Sequence, residues 1–435
     1  AWKLTGKKKY ISTINSWSKS WMECNPFNQG SNWLCAQEVS IRLIHVLQAL
    51  FLIEEIHKPE KRLSSNQEDF IAKHLKRINL TTSYAKAQQN NHWTSEAAAL
   101  FIGGSLLMIK SDKYRNFGRI CSKKGRKELE NNVNHLIMQD GSFSQNSTNY
   151  HRLFLDTLSQ AEIWRRRLKL KSFSNQLLIK CELATKWLES LVDKISGDVP
   201  NLGANDGAYC YQLHKRDYRD FRYSLQLASS LFCEFSSLRK GKWDEQLIWE
   251  QITPNYQKQN IQSKKTINFL KNGGYLIINK SQKNWALLRI PNYKFRPTNI
   301  DPLHFDLWNN GENILRDGGS YSYNTEKKYF DFFFGIKSHN SVEFNNEEPM
   351  KKISKFLCIN WLREKNIYIF DNKNHIKVSS KYKFLNGFHR RDLYINKNNS
   401  EWIILDYLDK FKMNAILRWR LIPDNWVVTK NKING

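Results

Sequence analysis

The sequence predicts an α+β multidomain protein, with an N-terminal incomplete α/α toroid followed by a C-terminal antiparallel β-sandwich. Three observations carry this. At 435 residues the chain exceeds one ordinary hydrophobic core and suits two domains. Up to about residue 250 the apolar residues recur at i, i+3 and i+4, the period of a helix. From Thr266 onward they fall into short alternating or aromatic runs bounded by Asn, Gly, Asp and Lys.

Helical spacing is read over Gln37 to Ile56, Glu96 to Ile109, Tyr150 to Leu170, Ser174 to Ile195 and Ser224 to Phe235. Polar connectors with Asn, Gly and Ser separate these segments, as in stacked helical hairpins. Several are apolar around much of their circumference, which fits helices packed on both sides. Strands are read at Tyr275 to Asn279, Trp285 to Ile290, Phe305 to Trp308, Tyr329 to Phe334, Ile367 to Phe370, Trp402 to Leu405 and Ile416 to Leu421. The expected domains are 1–255 and 266–435, joined by the Lys-, Gln- and Asn-rich stretch Gln257 to Lys265. No internal repeat with a clear period occurs.

Lys and Arg number 68 against 41 Asp and Glu, a formal charge of +27. Such a surplus attracts polyanions. The basic residues are scattered rather than gathered in one arm, so charge alone names a class of partner and nothing finer. With 15 Trp, 18 Tyr and 24 Phe the chain has ample material for packed cores. No run reaches the roughly 18 apolar residues of a membrane span, and Leu43 to Ile53 reads as a buried helix. The seven cysteines lack CxxC or zinc-finger spacing and read mostly as buried small apolar residues. The N-terminus shows no signal peptide, and the compartment is not legible there.

Polar clusters interrupt the structural pattern in four places. Asn90, Asn91, His92 and Glu96 precede an apolar helix; capping accounts for part of that run, but not for Asn-Asn-His-Trp. Asp140-Gly141-Ser142-Phe143 forms a turn, followed by Asn149-Tyr150-His151-Arg152 at a helix mouth. Gly203-Ala204-Asn205-Asp206-Gly207 is a polar turn. In the sheet half, Arg296, His304 and Asp306 are followed by Arg316-Asp317-Gly318-Gly319-Ser320-Tyr321-Ser322-Tyr323 and by Ser338-His339-Asn340. Two apart on a strand, His304 and Asp306 project to the same face, an arrangement more often structural than catalytic.

Together these segments resemble the heparinase II/III family and the related alginate lyases, from Asn32-Trp33 to Arg390-Arg391-Asp392. The most specific parts are the Asn-Asn-His…Glu run, the Asp-Gly-Ser…Tyr-His-Arg block, and His-Phe-Asp-Leu-Trp…Arg-Asp-Gly-Gly-Ser-Tyr-Ser-Tyr. The resemblance implies β-elimination on a uronate-containing acidic polysaccharide. By position, Asn91 would neutralise the carboxylate with His92 beside it, and Tyr150 would be the acid or base. Asn90, Glu96, His151, Arg152, Asn205, Asp206, Arg296, His304 and Tyr321 would bind substrate. Nearby Arg152 and Arg296 are expected to lower the Tyr150 pKa. Asp317 and His339 match zinc-binding positions. Pro297 and Asn299 stand where the family has His, one catalytic and one the third zinc ligand. An amide is a poor zinc ligand, so tight zinc is not expected. The resemblance further implies the bacterial periplasm or cell envelope; the residues themselves leave the cytoplasm open.

Two other functions compete. A glycan-binding or polysaccharide-assembly protein that keeps the fold without the chemistry is favoured by Pro297 and Asn299. Nucleic-acid binding is invited by the charge, but no basic recognition helix, zinc module or RNA-binding aromatic motif is present, and no nucleic acid is expected. Oligomeric state is not legible.

Overall fold

The computed structural model describes all residues except 216, 257–264, 282, 365–366, 385–386, 400, 430–431 and 435. Of the expected linker, Gln257 to Gln262 and the two positions after it lie outside the described residues. The helical half comprises α1 (Trp2–Thr5), α2 (Lys9–Cys24), α3 (Ala36–Glu54), α4 (Ser65–Gln88), α5 (Asn91–Lys110), α6 (Arg115–Leu136), α7 (Thr148–Arg167), α8 (Asn175–Leu191), α9 (Arg222–Phe232) and α10 (Glu245–Glu250). These helices form the toroid. Its core takes residues from nearly every long helix, among them Leu43, Leu75, Leu100, Leu129, Phe154, Trp187 and Leu227.

Local chemistry sets the helix starts. Ser64, Ser147 and Ser174 each accept a hydrogen bond from the backbone N–H three residues on, satisfying donors that a first turn leaves free. Asn90 caps α5 by accepting from His92 N, so α5 starts five residues before Glu96. Helices α5 and α6 meet backbone to backbone through glycines. A Cβ on Gly125 would lie 2.2 Å from Phe101 N, and one on Gly118 2.5 Å from Met108 N. Those glycines, and the many Lys and Asn around them, are why α6 was not legible as a helix. Helix α4 was missed for a related reason: it is largely polar and buries only one narrow face. Helix α3 is long and apolar enough to cross a membrane. Nine of its residues, Leu43 and Leu47 among them, are instead buried in the toroid.

The sheet half begins with β1 (Ile267–Leu270), β2 (Tyr275–Asn279), β3 (Asn284–Arg289), β4 (Phe305–Asn309) and β5 (Glu312–Leu315), one antiparallel meander. Then come α11 (Lys327–Phe334), β6 (Val342–Phe344), β7 (Lys351–Ser354), β8 (Leu357–Ile359), β9 (Ile367–Asp371), β10 (His375–Phe384), β11 (Gly387–Asn396), β12 (Trp402–Asp409), β13 (Ala415–Leu417), β14 (Val427–Val428) and β15 (Ile433–Asn434). The second sheet has the order β12-β11-β10-β9. Leu276, Ile278, Leu288 and Phe305 pack against Ile376, Val378, Leu393 and Ile395, forming the sandwich core.

Strands β2 and β3 are buried on both faces, which explains their unbroken apolar runs. The residues that alternate with the sandwich set, Tyr275, Ile277, Trp285, Leu287 and Trp308, join the toroid's core. Trp285 stacks on Trp308 at 5.2 Å and donates to Asp193 at 3.0 Å, and Tyr275 meets Trp187 edge-on at 5.3 Å. The two halves thus share one apolar seam, and this holds the crevice at its rim in a fixed shape.

Two expected strands need correction. Tyr329 to Phe334 lies in helix α11, because helical spacing lets Lys327 pair with Asp331 and Phe330 stack on Phe334. The strand expected over Ile416 to Leu421 ends at Leu417 as β13, and Leu421 makes only an isolated bridge to Leu315. The cysteines are all unpaired: Cys121, Cys181 and Cys358 are buried, Cys35, Cys210 and Cys233 half-buried, and Cys24 exposed.

Candidate active site in the crevice between toroid and sandwich

Backbone hydrogen bonds from both halves converge at the rim. Gln145, before α7, accepts Asn91 N on its side chain at 2.9 Å, and its carbonyl accepts from Thr298 Oγ1 at 3.1 Å. Thr298 Oγ1 in turn accepts Ala204 N at 3.0 Å, and Ser320 Oγ accepts Asn205 N at 3.1 Å. The turn at Gly203 has φ +70°, and a Cβ there would sit 2.3 Å from Asn146 O, so only glycine fits. These contacts bring the first turns of α5 and α7, the 203–207 turn and the strand region after β5 to one place.

Tyr150 lies at the centre. Its hydroxyl donates to Asp206 Oδ2 at 3.0 Å and lies 3.1 Å from the Tyr323 hydroxyl. Asn149 Nδ2 donates to Asp206 Oδ1 at 3.2 Å, and Arg152 donates to Asn149 Oδ1 at 2.8 Å. A relay of Arg152, Asn149 and Asp206 therefore positions the phenol. Burial, then Tyr323 and Asp206, push the Tyr150 pKa well above its ordinary value. The expected lowering by Arg152 and Arg296 is thus overturned. Arg152 is fully buried between the rings of Tyr209 and Phe221, each 4.1 Å from it, and donates to the Tyr218 and Ala208 carbonyls. Arg296 donates to Gln88 O at 2.9 Å. The nearest charge on the phenol is the negative one of Asp206.

The charges of both Arg296 and Asp206 act on His92. Burial, then Arg296, lower its pKa, while Asp206 opposes them. Its imidazole is therefore neutral at neutral pH, the form that accepts a proton. Asn90 is spent on capping and on Gln88 Oε1, and Asn91 opens α5 with 4% of its surface exposed. Asn205 bonds Gly207 N and the Asn201 side chain, beside exposed Asp206. Tyr321 is 66% exposed and stacks against Phe333 at 5.9 Å, leaving a ring face for a ligand.

Four expected substrate-binding residues, Glu96, His151, Arg152 and His304, face the protein interior instead of the crevice. His151 has no exposed surface, bonds Ala184 O at 2.8 Å and stacks on Trp187 at 4.2 Å. Glu96 is 2% exposed and accepts from Thr81 Oγ1 at 3.4 Å. Burial raises the Glu96 pKa from 4.5 to about 7, against Thr81, Arg77 and Lys124. Because the native state then holds this proton more tightly than the unfolded one, stability falls as pH rises from 4.5 to about 7. Glu96→Gln is expected to stabilise the protein at pH 8 by up to about 3 kcal/mol and to change little at pH 4.5, read from denaturant unfolding. A difference independent of pH would contradict this assignment.

Behind the crevice lies a buried cluster. His304 Nδ1 accepts Asn340 N at 3.0 Å, which turns Nε2 toward Asp317 Oδ2 at 3.6 Å and Asp306 Oδ2 at 3.1 Å. His339 Nδ1 lies 2.7 Å from the same Asp317 oxygen. Ligand atoms of His304, Asp317 and His339 all fall within 4.8 Å of one another. Two imidazoles and a carboxylate form a donor set suited to zinc. Asn299, at the position that the resemblance matched to a ligand, is 4% exposed and its Nδ2 has no partner. His304, just before β4, fills the third place, reached through the fold. The cluster anchors the segment that carries Tyr323, a site residue outside the set expected from the sequence. The Tyr-Ser-Tyr alternation was the available signal.

Fold and site together define a toroid-plus-sandwich protein with a polar crevice between its halves. Residues 262–433 match the family model described as Heparinase II/III-like, C-terminal. This sheet half is thus similar to the C-terminal part of heparinase II/III-like proteins. No curated protein matches the sequence. Among solved structures, a crystal structure of heparinase III matches with a TM-score of 0.71 at 16% identity, over 99% of this chain and 65% of that one. Heparan sulfate lyase HepC from Pedobacter heparinus matches with a TM-score of 0.60 at 16% identity, over 99% of this chain and 64% of that one. The chain thus spans 65% and 64% of the length of these two structures.

Proposed function

We propose that this protein is a polysaccharide lyase that cleaves an acidic, uronate-containing polymer by β-elimination. The observation that carries the reading is the Tyr150 phenol, held protonated beside Asp206 and Tyr323 in the crevice, with neutral His92 nearby. The C5–H bond breaks and His92 takes the proton. The electron pair forms the C4–C5 double bond, the C4–O bond breaks, and Tyr150 protonates the departing sugar oxygen. Asn91 and Arg296 supply the donors that offset charge growing on the substrate carboxylate. Tyr321 offers a stacking face. The structures it resembles, a heparinase III and a heparan sulfate lyase, support a sulfated or uronate glycan as substrate. The test is incubation with a panel of uronate polymers, followed by ultraviolet absorbance of C4–C5 unsaturated ends. New reducing ends without that absorbance would point to hydrolysis and sink the reading.

Zinc belongs to the same proposal, held by His304, Asp317 and His339, where it would cross-link the turn entering β4, the segment after β5 and the turn before β6. Purified protein is expected to retain about one zinc after dialysis, and His304→Ala to retain none. Wild type without metal would end this part. The competing reading, a glycan-binding or polysaccharide-assembly protein of the same fold, is favoured by Pro297 and by Asn299, whose buried amide cannot act as a base. Glycan binding without turnover in the wild type would select it.

A further inference from the structure

Beyond the Tyr150 site the crevice opens into a cavity of about 620 Å³ on the sandwich side. This lies within the size range of ligand pockets. Its wall is the β7–β8 hairpin, and its floor is α11. Tyr323, Lys327, Phe330, Lys352 and Lys355 line it, together with the acids Asp331 and Glu348. Lys327 and Lys352 share one carboxylate, that of Asp331. Lys355 has no acidic partner among the described residues, and it lies 5.7 Å from the Phe330 ring centre and 5.8 Å from that of Phe356. Glu348 turns inward to accept Ile336 N at 2.9 Å. Three cations therefore face the cavity against one shared carboxylate and one spent on backbone.

The cavity is continuous with the proposed catalytic groups. Phe356, at the hairpin tip, meets Tyr323 edge-on at 5.0 Å, and the Tyr323 hydroxyl is 3.1 Å from that of Tyr150. Phe330 and, at the hairpin tip, Phe356 supply apolar faces, and Lys327, Lys352 and Lys355 line the same space. A strip of polymer bound at Tyr150 that continues along the sandwich must pass here. An uncharged sugar would leave Lys355 unanswered; an anionic ring would pair with it and stack on the rings.

We propose that this cavity is a subsite for an anionic sugar unit of the polymer, adjacent to the unit at Tyr150, with Lys355 and Lys352 reading its carboxylate or sulfate. The inference rests on the crevice being the polymer-binding groove. Lys355 is exposed, so Lys355→Glu should fold normally, as a melting curve would verify. Two probes are used: an unsulfated uronate tetrasaccharide and a heparan sulfate tetrasaccharide. Dissociation constants come from calorimetry, and KM and kcat from the ultraviolet assay. Lys355→Glu is expected to weaken binding of the preferred probe about tenfold, to flatten its salt dependence, and to raise KM more than it lowers kcat. A loss confined to the sulfated probe assigns sulfate, and an equal loss on both assigns carboxylate. Turnover with Kd and KM unchanged in Lys355→Glu would overturn the subsite and leave the lyase reading standing. Binding lost in Lys355→Glu with no turnover in the wild type would keep the subsite and overturn the lyase reading. No binding of either probe by the wild type would overturn both.

Discussion

Tyr150→Phe is expected to lower kcat on any uronate polymer the protein cleaves by 10²- to 10⁴-fold, the usual contribution of a positioned proton donor. KM should change little, because the aromatic face remains. Stability should fall by no more than about 1 kcal/mol, since one hydroxyl is lost from a half-buried network. The assignment also fixes the pH profile. Burial beside Tyr323 and Asp206 holds the phenol protonated beyond its ordinary range, so no alkaline limb near pH 10 should trace to Tyr150. Burial and Arg296 hold His92 below its ordinary 6.5, so kcat/KM should rise with pH through a midpoint under 6.5 and then level. The proton-accepting imidazole forms on the alkaline side of that midpoint. A Phe variant keeping more than a tenth of wild-type kcat would remove Tyr150 from the chemistry.

The second large effect concerns Arg391, which has no exposed surface. Its Nε and Nη2 donate to the two Asp406 oxygens at 2.8 and 2.9 Å. Its Nη1 donates to Leu303 O at 2.7 Å and Asn340 O at 2.6 Å. Leu303 precedes His304 and Asn340 follows His339, so one guanidinium from the second sheet pins both histidines of the buried cluster. Burial opposes ionisation of Asp406, yet His389 and Arg391 hold its carboxyl at about 2 against an ordinary 3.8. A depressed carboxylate pKa stabilises the fold above pH 3.8 and is lost as pH falls toward 2. Arg391→Met is expected to cost about 3–5 kcal/mol, the penalty of stranding one member of a buried pair. It should also make zinc retention fail. Denaturant unfolding with a loss under about 1 kcal/mol would show that the guanidinium is not the pin described.

Helix α7 shows where sequence stops being informative. Tyr150, His151 and Arg152 are consecutive, and at 3.6 residues per turn they point about 100° apart. Only the first reaches the crevice. His151 packs on Trp187 and Arg152 is clamped between Tyr209 and Phe221. The stretch was recognisable as a site, but which of its three side chains faces it depends on the helix's rotation in the toroid. Glu96 illustrates the same limit: once Asn90 caps α5, a residue in the polar run is carried a full turn inward.

By itself the sequence determined the order of the two halves, the strands Tyr275 to Asn279 and Phe305 to Trp308, and the polar runs that meet at the crevice. These rest on local periodicity and on capping, which need only neighbouring residues. Tertiary structure alone decided that His304 joins Asp317 and His339, that Asp206 meets Tyr150, and that Tyr329 lies on a helix. Each of these depends on chain segments that are distant in sequence or on the packing around them. The relevant distances are set by how the apolar seam docks toroid on sandwich, and no local pattern encodes that docking.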